Sequence, residues 1–308
     1  MPRSLARIDW GSIAPLRLRA RAVAEGVYAG AHRSLRRGPG VEFGGHRPYA
    51  PGDDLRWLDR RALLRHDRLI VREFETETDR GLRLILDASA SMSFRGPAGP
   101  ASKLAYASLL AAALARVALA SGDPVGLEWL GGAACRSLPA VAGREAFERI
   151  LGALESAEPG GDLRADITSL EGAFGSVARR ARRGTIIVLF SDLVDVPDET
   201  LDRFAALSSS GRVLSAVQVL DPDEVQFPFD ATVRLRALEG GALVETDPLV
   251  TRERYFEAMD AIQKAWAAKL TNHGGLFLRA ITTDDAAAVV RNIVSAVAGR
   301  FVAPEELG

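Results

Sequence analysis

The sequence predicts an α/β protein: a doubly wound, mostly parallel sheet of six strands, preceded by an extended, irregular N-terminal segment and interrupted by an inserted β-hairpin. Three observations predict it. From Leu82 onward, short β-rich runs alternate with helical stretches, the pattern of a mostly parallel sheet covered on both faces. The helical stretches repeat apolar residues at i, i+3, i+4 and i+7, which is the stripe of a core-facing helix. Glycine pairs break the alternation twice, at Gly131-Gly132 and Gly240-Gly241, each too short a connection for a crossover and so each a hairpin.

Taken in order, residues 1–80 read as a basic segment packing on a main domain of residues 81–308. The segment holds 16 arginines against 11 acidic residues, net +5, leaving −6 for the remainder. Pro48, Pro51 and the neighbouring glycines forbid a long helix there, so extended segments are expected. Strands follow at Leu82–Asp87, Val125–Leu130, Ala134–Leu138, Thr185–Phe190, Val213–Leu220 and Leu276–Ile281, with the third antiparallel to the second because only Gly131-Gly132 joins them. Stripes at Phe147, Ile150, Leu151 and Leu154, at Leu170, Phe174 and Val177, and at Val289, Val290, Ile293, Val294 and Val297 predict helices. The turn at Glu239-Gly240-Gly241 predicts the inserted hairpin, ahead of a long helix over Tyr255–Leu270.

Composition narrows the class. With 47% apolar and 26% charged residues in 308, the chain can bury a full core. The cations are almost all arginine, with lysine only at 103, 264 and 269; a bias spread over the whole chain reads as solvated, ion-paired arginine, so no nucleic-acid partner is expected. One cysteine, Cys135, excludes an internal disulfide and a cysteine zinc cluster and fits a reducing compartment; it falls in the third predicted strand as a small core residue. Leu5-Ala6-Arg7-Ile8-Asp9 is too short and too charged for a signal core, and Leu104–Ala120 reads as a buried helix rather than a membrane span. A cytoplasmic location is expected, and membrane association is possible but not indicated.

The chemistry gathers at strand ends. Leu82–Asp87 is an apolar strand that ends on a carboxylate, followed by hydroxyls at Ser89 and Ser91. Ligand sites of open α/β sheets collect at such ends. A buried carboxylate needs a partner, and no Lys or Arg lies within Ala88–Ser93, so a cation is the natural candidate. Small, oxygen-only donors suit a hard ion such as Mg²⁺ or Mn²⁺. Thr185–Phe190 likewise runs into Ser191-Asp192, which would bring Asp192 beside Asp87 if the two strands are neighbours. Thr168, in "DLRADITSLEG", sits before a helical stripe as an N-cap whose hydroxyl could instead face an ion. The bland readings stand beside these: Ser89 and Ser91 capping the next helix, Asp192 capping one near Pro197, and Asp53-Asp54 forming an ordinary turn. The histidines 32, 46, 66 and 273 show no metal spacing.

"DASAS", then Thr168, then "FSDLVD" resembles the metal-ion-dependent adhesion site of von Willebrand factor A domains. That resemblance implies a divalent cation held by Asp87, Ser89, Ser91, Thr168 and Asp192, and a sheet order 3-2-1-4-5-6 with strand 3 antiparallel. Ser169 departs from it, standing where many members carry an acid; Asp166 could compensate. Upstream, "YAPGDDLRWLDRRALLRHDRLIVREFETE" (Tyr49–Glu77) is similar to the signature of the domain of unknown function 58 family. Such proteins resemble partners of MoxR-type AAA+ ATPases, which implies a docking partner that supplies an acidic residue to the ion.

The expected function is therefore a non-enzymatic, metal-dependent interaction module. The chain has no G-x-S-x-G elbow, no phosphate-binding loop and no H-E-x-x-H. The alternative is a metal-dependent hydrolase using the same site, with ion-bound water as nucleophile.

Overall fold

The computed structural model describes residues 16–30, 42–48, 70–75 and 81–301, apart from 195, 198, 210, 230–232, 237, 239–242 and 247. Leu16, Ala20, Ala24 and Val27 recur along one face of an arginine-rich stretch and are all buried, which makes it helix α1 (Leu16–Gly30). Strands β1 (Glu42–Pro48) and β2 (Ile70–Glu75) pair antiparallel, with an irregularity between Phe43 and Gly45. These are the extended segments expected from the prolines and glycines. Most of the Tyr49–Glu77 signature, including Asp53 and Asp54, lies outside the described residues.

The chain divides into two compact units, Ala31–Asp79 and an α/β body made of Met1–Gly30 with Arg80–Gly308. The structure thus splits residues 1–80 rather than keeping them together. Helix α1 belongs to the α/β body because its apolar face joins that body's core.

The body is built on β3 (Leu82–Asp87), α2 (Lys103–Ala120), β4 (Val125–Leu130), β5 (Leu138–Val141), α3 (Arg144–Glu155), α4 (Ile167–Arg180), β6 (Ile186–Ser191), α5 (Glu199–Ala206), β7 (Val213–Leu220) and α6 (Pro222–Gln226). It continues through β8 (Val233–Arg236), β9 (Leu243–Thr246), α7 (Pro248–Asn272), β10 (Leu276–Ile281) and α8 (Ala286–Phe301). One sheet of six strands runs in the order β10-β7-β6-β3-β4-β5. Its pairs are parallel except β4 with β5. β8 and β9 form a separate antiparallel hairpin, Val233 opposite Thr246, as the sequence predicts; its glycine turn lies outside the described residues.

Successive residues of the central strands feed opposite sides. Leu84, Leu86, Val188, Phe190, Val217 and Val219 join one apolar cluster with α1, α2, α3 and α8. Ile85, Ile187, Leu189, Leu214 and Ala216 join a second with α4, α5 and α7. Period-two burial on both faces is what a doubly wound sheet requires. Each fully buried Leu or Ile adds roughly 1.5–3 kcal/mol of apolar transfer. Helix α2 is the centre of the first layer: Ser102 caps it, its Oγ accepting from Ala105 N at 3.2 Å, and every residue from Lys103 to Ala115 is buried. By length and composition α2 could cross a membrane. Here it is packed under the sheet, between α1, α3 and α8.

Two expectations are corrected. Strand β5 spans Leu138–Val141, not Ala134–Leu138, and a longer loop, not a two-glycine turn, joins it to β4. Cys135 therefore lies in that loop, half-buried, and burial pushes its thiol up to about 11. Gly131 and Gly132 have φ of +65° and +80°, but they serve close approach. A Cβ on Gly132 would stand 2.5 Å from Cys135 Sγ and 2.7 Å from Ala88 Cβ, inside contact distance. Gly132→Ala is expected to destabilise by about 1–3 kcal/mol and to shift the Ala88 loop. Urea unfolding of the two proteins checks it; an unchanged midpoint would mean the loop yields without strain.

Candidate metal centre

Strands β3 and β6 are hydrogen-bonded neighbours, with Leu86 opposite Phe190, so Asp87 and Ser191 emerge level at their carboxyl ends. Asp87 is 1% exposed. Its Oδ1 accepts from Ser89 N at 2.8 Å and its Oδ2 from Ser191 Oγ at 2.6 Å. The Ser89 hydroxyl also lies against Asp87, and its Oγ is 3.1 Å from Ser91 Oγ. Ser91 in turn donates to Asp192. A continuous chain of oxygens thus runs Asp87, Ser89, Ser91, Asp192.

The loop carrying the serines is fixed from three sides. Ala88 N donates to Leu130 O at 2.8 Å, Gly160 N donates to Ala88 O at 2.8 Å, and Ala90 N donates to Gly161 O at 3.1 Å. The turn after β6 is fixed too. Ser191 Oγ accepts from Leu193 N at 3.0 Å, and Gln218 Nε2 donates to Asp192 O at 2.9 Å.

Of the five residues picked out in sequence, the structure brings four into this chain and sets Thr168 apart. Thr168 is exposed and its Oγ1 donates to Asp166 Oδ1 at 2.6 Å. Asp166, not Thr168, is the N-cap of α4, accepting from Ser169 N at 3.1 Å. Those bonds, first from Thr168 and then from Ser169, hold the Asp166 carboxyl below its usual range. Helix α4 still reaches the site's border, because Ser169 Oγ accepts from Gly131 N at 2.9 Å. Ser169 therefore has a bonding role of its own at the position where the resemblance expects an acid.

Sequence reasoning missed Lys103. Although it begins α2, it is 1% exposed, and its Nζ donates to Asp192 Oδ2 at 2.7 Å and to Glu224 Oε1 at 2.6 Å. No Lys or Arg lies within Ala88–Ser93, yet Lys103 reaches the cluster from the start of α2. A signal was available: a lysine in the first turn of an apolar helix opposes the helix dipole, so it needs acidic partners from elsewhere. Glu224 is positioned by α6, where its other oxygen accepts from Asp221 N at 2.8 Å in a capping box.

Charge is unbalanced here. Two carboxylates, Asp192 and Glu224, share the ammonium of Lys103, and a third, Asp87, lies against Asp192. Burial, then the charge of Asp192, push Asp87 up to about 6. Burial acts the same way on Asp192, but Lys103, the Ser91 hydroxyl and Val194 N outweigh it and hold Asp192 below its usual range.

The donors fit a hard divalent ion. They are all oxygen, and the 3.1 Å between the two serine hydroxyls is close to the edge of a Mg²⁺ octahedron, about 3.0 Å for ligands at 2.0–2.1 Å. Among the described residues no three His, Cys, Asp or Glu side chains gather to hold a metal. A site at this rim would therefore depend on the serine hydroxyls as much as on the carboxylates.

A doubly wound sheet with a buried acid and hydroxyl cluster at the ends of two central strands defines the class of this α/β protein. Within it, the chain belongs to the family described as protein of unknown function DUF58, whose model matches residues 45–265. It is similar to the uncharacterized proteins Mb1516 of Mycobacterium bovis and Rv1480 of Mycobacterium tuberculosis. Each is 30% identical over 276 residues, covering 87% of this chain and 83% of the relative. Among solved structures it is similar to the conserved hypothetical protein BatB from Bacteroides thetaiotaomicron, at 17% identity and a TM-score of 0.46, covering 71% of this chain and 99% of that one. An aerotolerance-related membrane protein from Bacteroides fragilis shows 20% identity and a TM-score of 0.45 over the same shares.

Proposed function

We propose that the α/β body is a von Willebrand factor A-like module whose metal-ion-dependent adhesion site binds Mg²⁺ or Mn²⁺ and docks a protein partner, a MoxR-type AAA+ ATPase. The observation that supports it most is the oxygen chain from Asp87 through Ser89 and Ser91 to Asp192, buried except at the half-exposed Ser91, net negative and built from hard donors. Asp87, Ser89, Ser91 and Asp192 would hold the ion. Thr168, whose hydroxyl donates to Asp166, would offer an ion its lone pairs without giving up that bond. When bound, the ion supplies a positive charge with a position open to a partner's Asp or Glu. The chain's own residues do the rest: Ser191 and Ser89 N orient Asp87, Val194 N orients Asp192, and the Gly160 and Gly161 backbone holds the serine loop still. Because hydroxyls make up half of these donors, they leave more of the ion's charge for the partner than carboxylates would.

Calorimetry with Mg²⁺, Mn²⁺ and Zn²⁺, together with pull-down of the ATPase by wild type and Ser89→Ala with and without EDTA, tests this. Expected are binding of Mg²⁺ or Mn²⁺ in preference to Zn²⁺, and loss of the ATPase on either treatment. Ser89→Ala should change apo stability by only about 1 kcal/mol, since it removes one hydroxyl and no core volume. A preference for Zn²⁺, or docking that survives both treatments, sinks the reading.

A further inference from the structure

We propose that Lys103 is a built-in competitor for Asp192 that sets how strongly this centre holds a divalent cation. The inference rests on the metal reading of the Asp87–Asp192 centre and adds what regulates its affinity.

The lysine is already where a second cation would act. Its Nζ lies 2.7 Å from Asp192 Oδ2, while Oδ1 accepts from Val194 N at 3.2 Å and the carboxylate also takes a bond from Ser91. It is not free to swing away. Ser102 caps the helix turn that carries it, Lys103 N donates to Phe94 O at 3.1 Å, and the Phe94 ring centroid stands 5.8 Å from Nζ. Glu224 holds the ammonium from the other side at 2.6 Å, and is itself locked by Asp221 N. Between them, Asp192 and Glu224 keep it charged in spite of its burial.

The consequence is a matter of sign. An ammonium fixed against one of the two carboxylates repels a divalent ion approaching the same group, and it withdraws half of that carboxylate from coordination. Removing it should strengthen binding. A lysine with a purely architectural role predicts the reverse, because its loss would disorder Asp192 and weaken any ion bound there.

The test is titration of the full chain with MgCl₂ and with MnCl₂, comparing wild type, Lys103→Met, and the double variant Lys103→Met/Glu224→Gln, which removes the ion pair without changing net charge. Both variants are expected to bind about tenfold more tightly or better than wild type. Wild-type affinity that is unchanged or weakened in a folded variant overturns the role of Lys103 and leaves the metal reading standing. Binding by the variants with a silent wild type upholds Lys103 as the barrier and removes the metal from the native function. No binding by any of the three at millimolar metal overturns both. Should the single variant be unfolded without metal, the double variant decides. Should both be, recovery of native circular dichroism on adding Mg²⁺ supports the inference, and its failure overturns it.

Discussion

Phe204→Ala is expected to lower the free energy of unfolding by about 3–5 kcal/mol. Phe204 is 0% exposed, with the Phe174 ring 6.0 Å away and the Trp266 ring 5.9 Å away, so its ring joins α4, α5 and α7 over one face of the sheet. Helix α5 is tied to the sheet at both ends, between β6 and β7, and α4 and α7 each run on into a sheet strand, so the three cannot all move inward and the vacated space stays largely open. A local effect should follow at the candidate metal centre. The same cluster buries Leu193, the residue after Asp192, whose φ of +62° places a leucine in the left-handed region at a cost of about 1–2 kcal/mol. Its buried side chain and the bond from its N–H to Ser191 Oγ hold it there. Loosening the cluster weakens that hold, so Mg²⁺ affinity should fall together with stability. Urea unfolding with an unchanged slope and a lower midpoint is the expected record. A loss under about 1 kcal/mol would mean that the helices do collapse into the gap.

How far the sequence carried the fold follows from where the physics is local. The strands Leu82–Asp87, Val125–Leu130 and Val213–Leu220 have the limits read from their apolar runs, because residues between two helical layers are selected for apolarity on both faces; the edge strand Leu276–Ile281 keeps its limits as well, through an apolar run interrupted only by Arg279. Strand β5 was beyond reach for the opposite reason. As an edge strand it is half-exposed along its length and carries little pattern, while the glycines before it look like hairpin residues, though Gly132 is needed for close approach to Ala88. Helix α4 starts at a cap two residues earlier than expected, because Asp166 rather than Thr168 takes that role.

The candidate centre divides in the same way. Asp87, Ser89 and Ser91 are close in sequence, and Asp192 ends the neighbouring strand, so apolar runs and their terminal residues suffice to bring them together. Lys103 and Glu224 lie 89 and 121 positions from the groups they pair with, and nothing local to either names its partner. The missing base changes the chemistry: a cluster read as carboxylate and hydroxyl alone has a fixed internal cation. Ser191, named in sequence only as the end of its strand, orients Asp87, a role that depends on the register of β6 against β3.

That register has a consequence for pH. In the absence of metal, Asp87→Asn is expected to be more stable than wild type at pH 7.5 by about 1–3 kcal/mol, and to lose that advantage near pH 4.5. Burial and the Asp192 charge raise the folded-state pKa of Asp87 to about 6, against an ordinary 3.8. Between those values the folded protein keeps a proton that the unfolded chain releases. Stability therefore falls as pH rises from about 4 to about 6 and stays lower above it, by at most about 3 kcal/mol for a shift of this size. Asparagine resembles the protonated acid and has no such loss. The full gain is not reached, since Ser191 Oγ would have to turn its proton away from the new amide while still accepting from Leu193 N. Asp192 works in the other direction. Its pKa is held below the ordinary value, so its contribution is present above that value and is lost only as pH falls below it. The two windows barely overlap, and melts in EDTA from pH 4.5 to 7.5 report mainly on Asp87. Adding Mg²⁺ at pH 7.5 should then reverse the ranking, because the ionised wild-type carboxylate gains a counter-ion and the amide does not. An Asp87→Asn protein less stable than wild type at pH 7.5 in EDTA would show that a positive charge other than a divalent ion already neutralises Asp87.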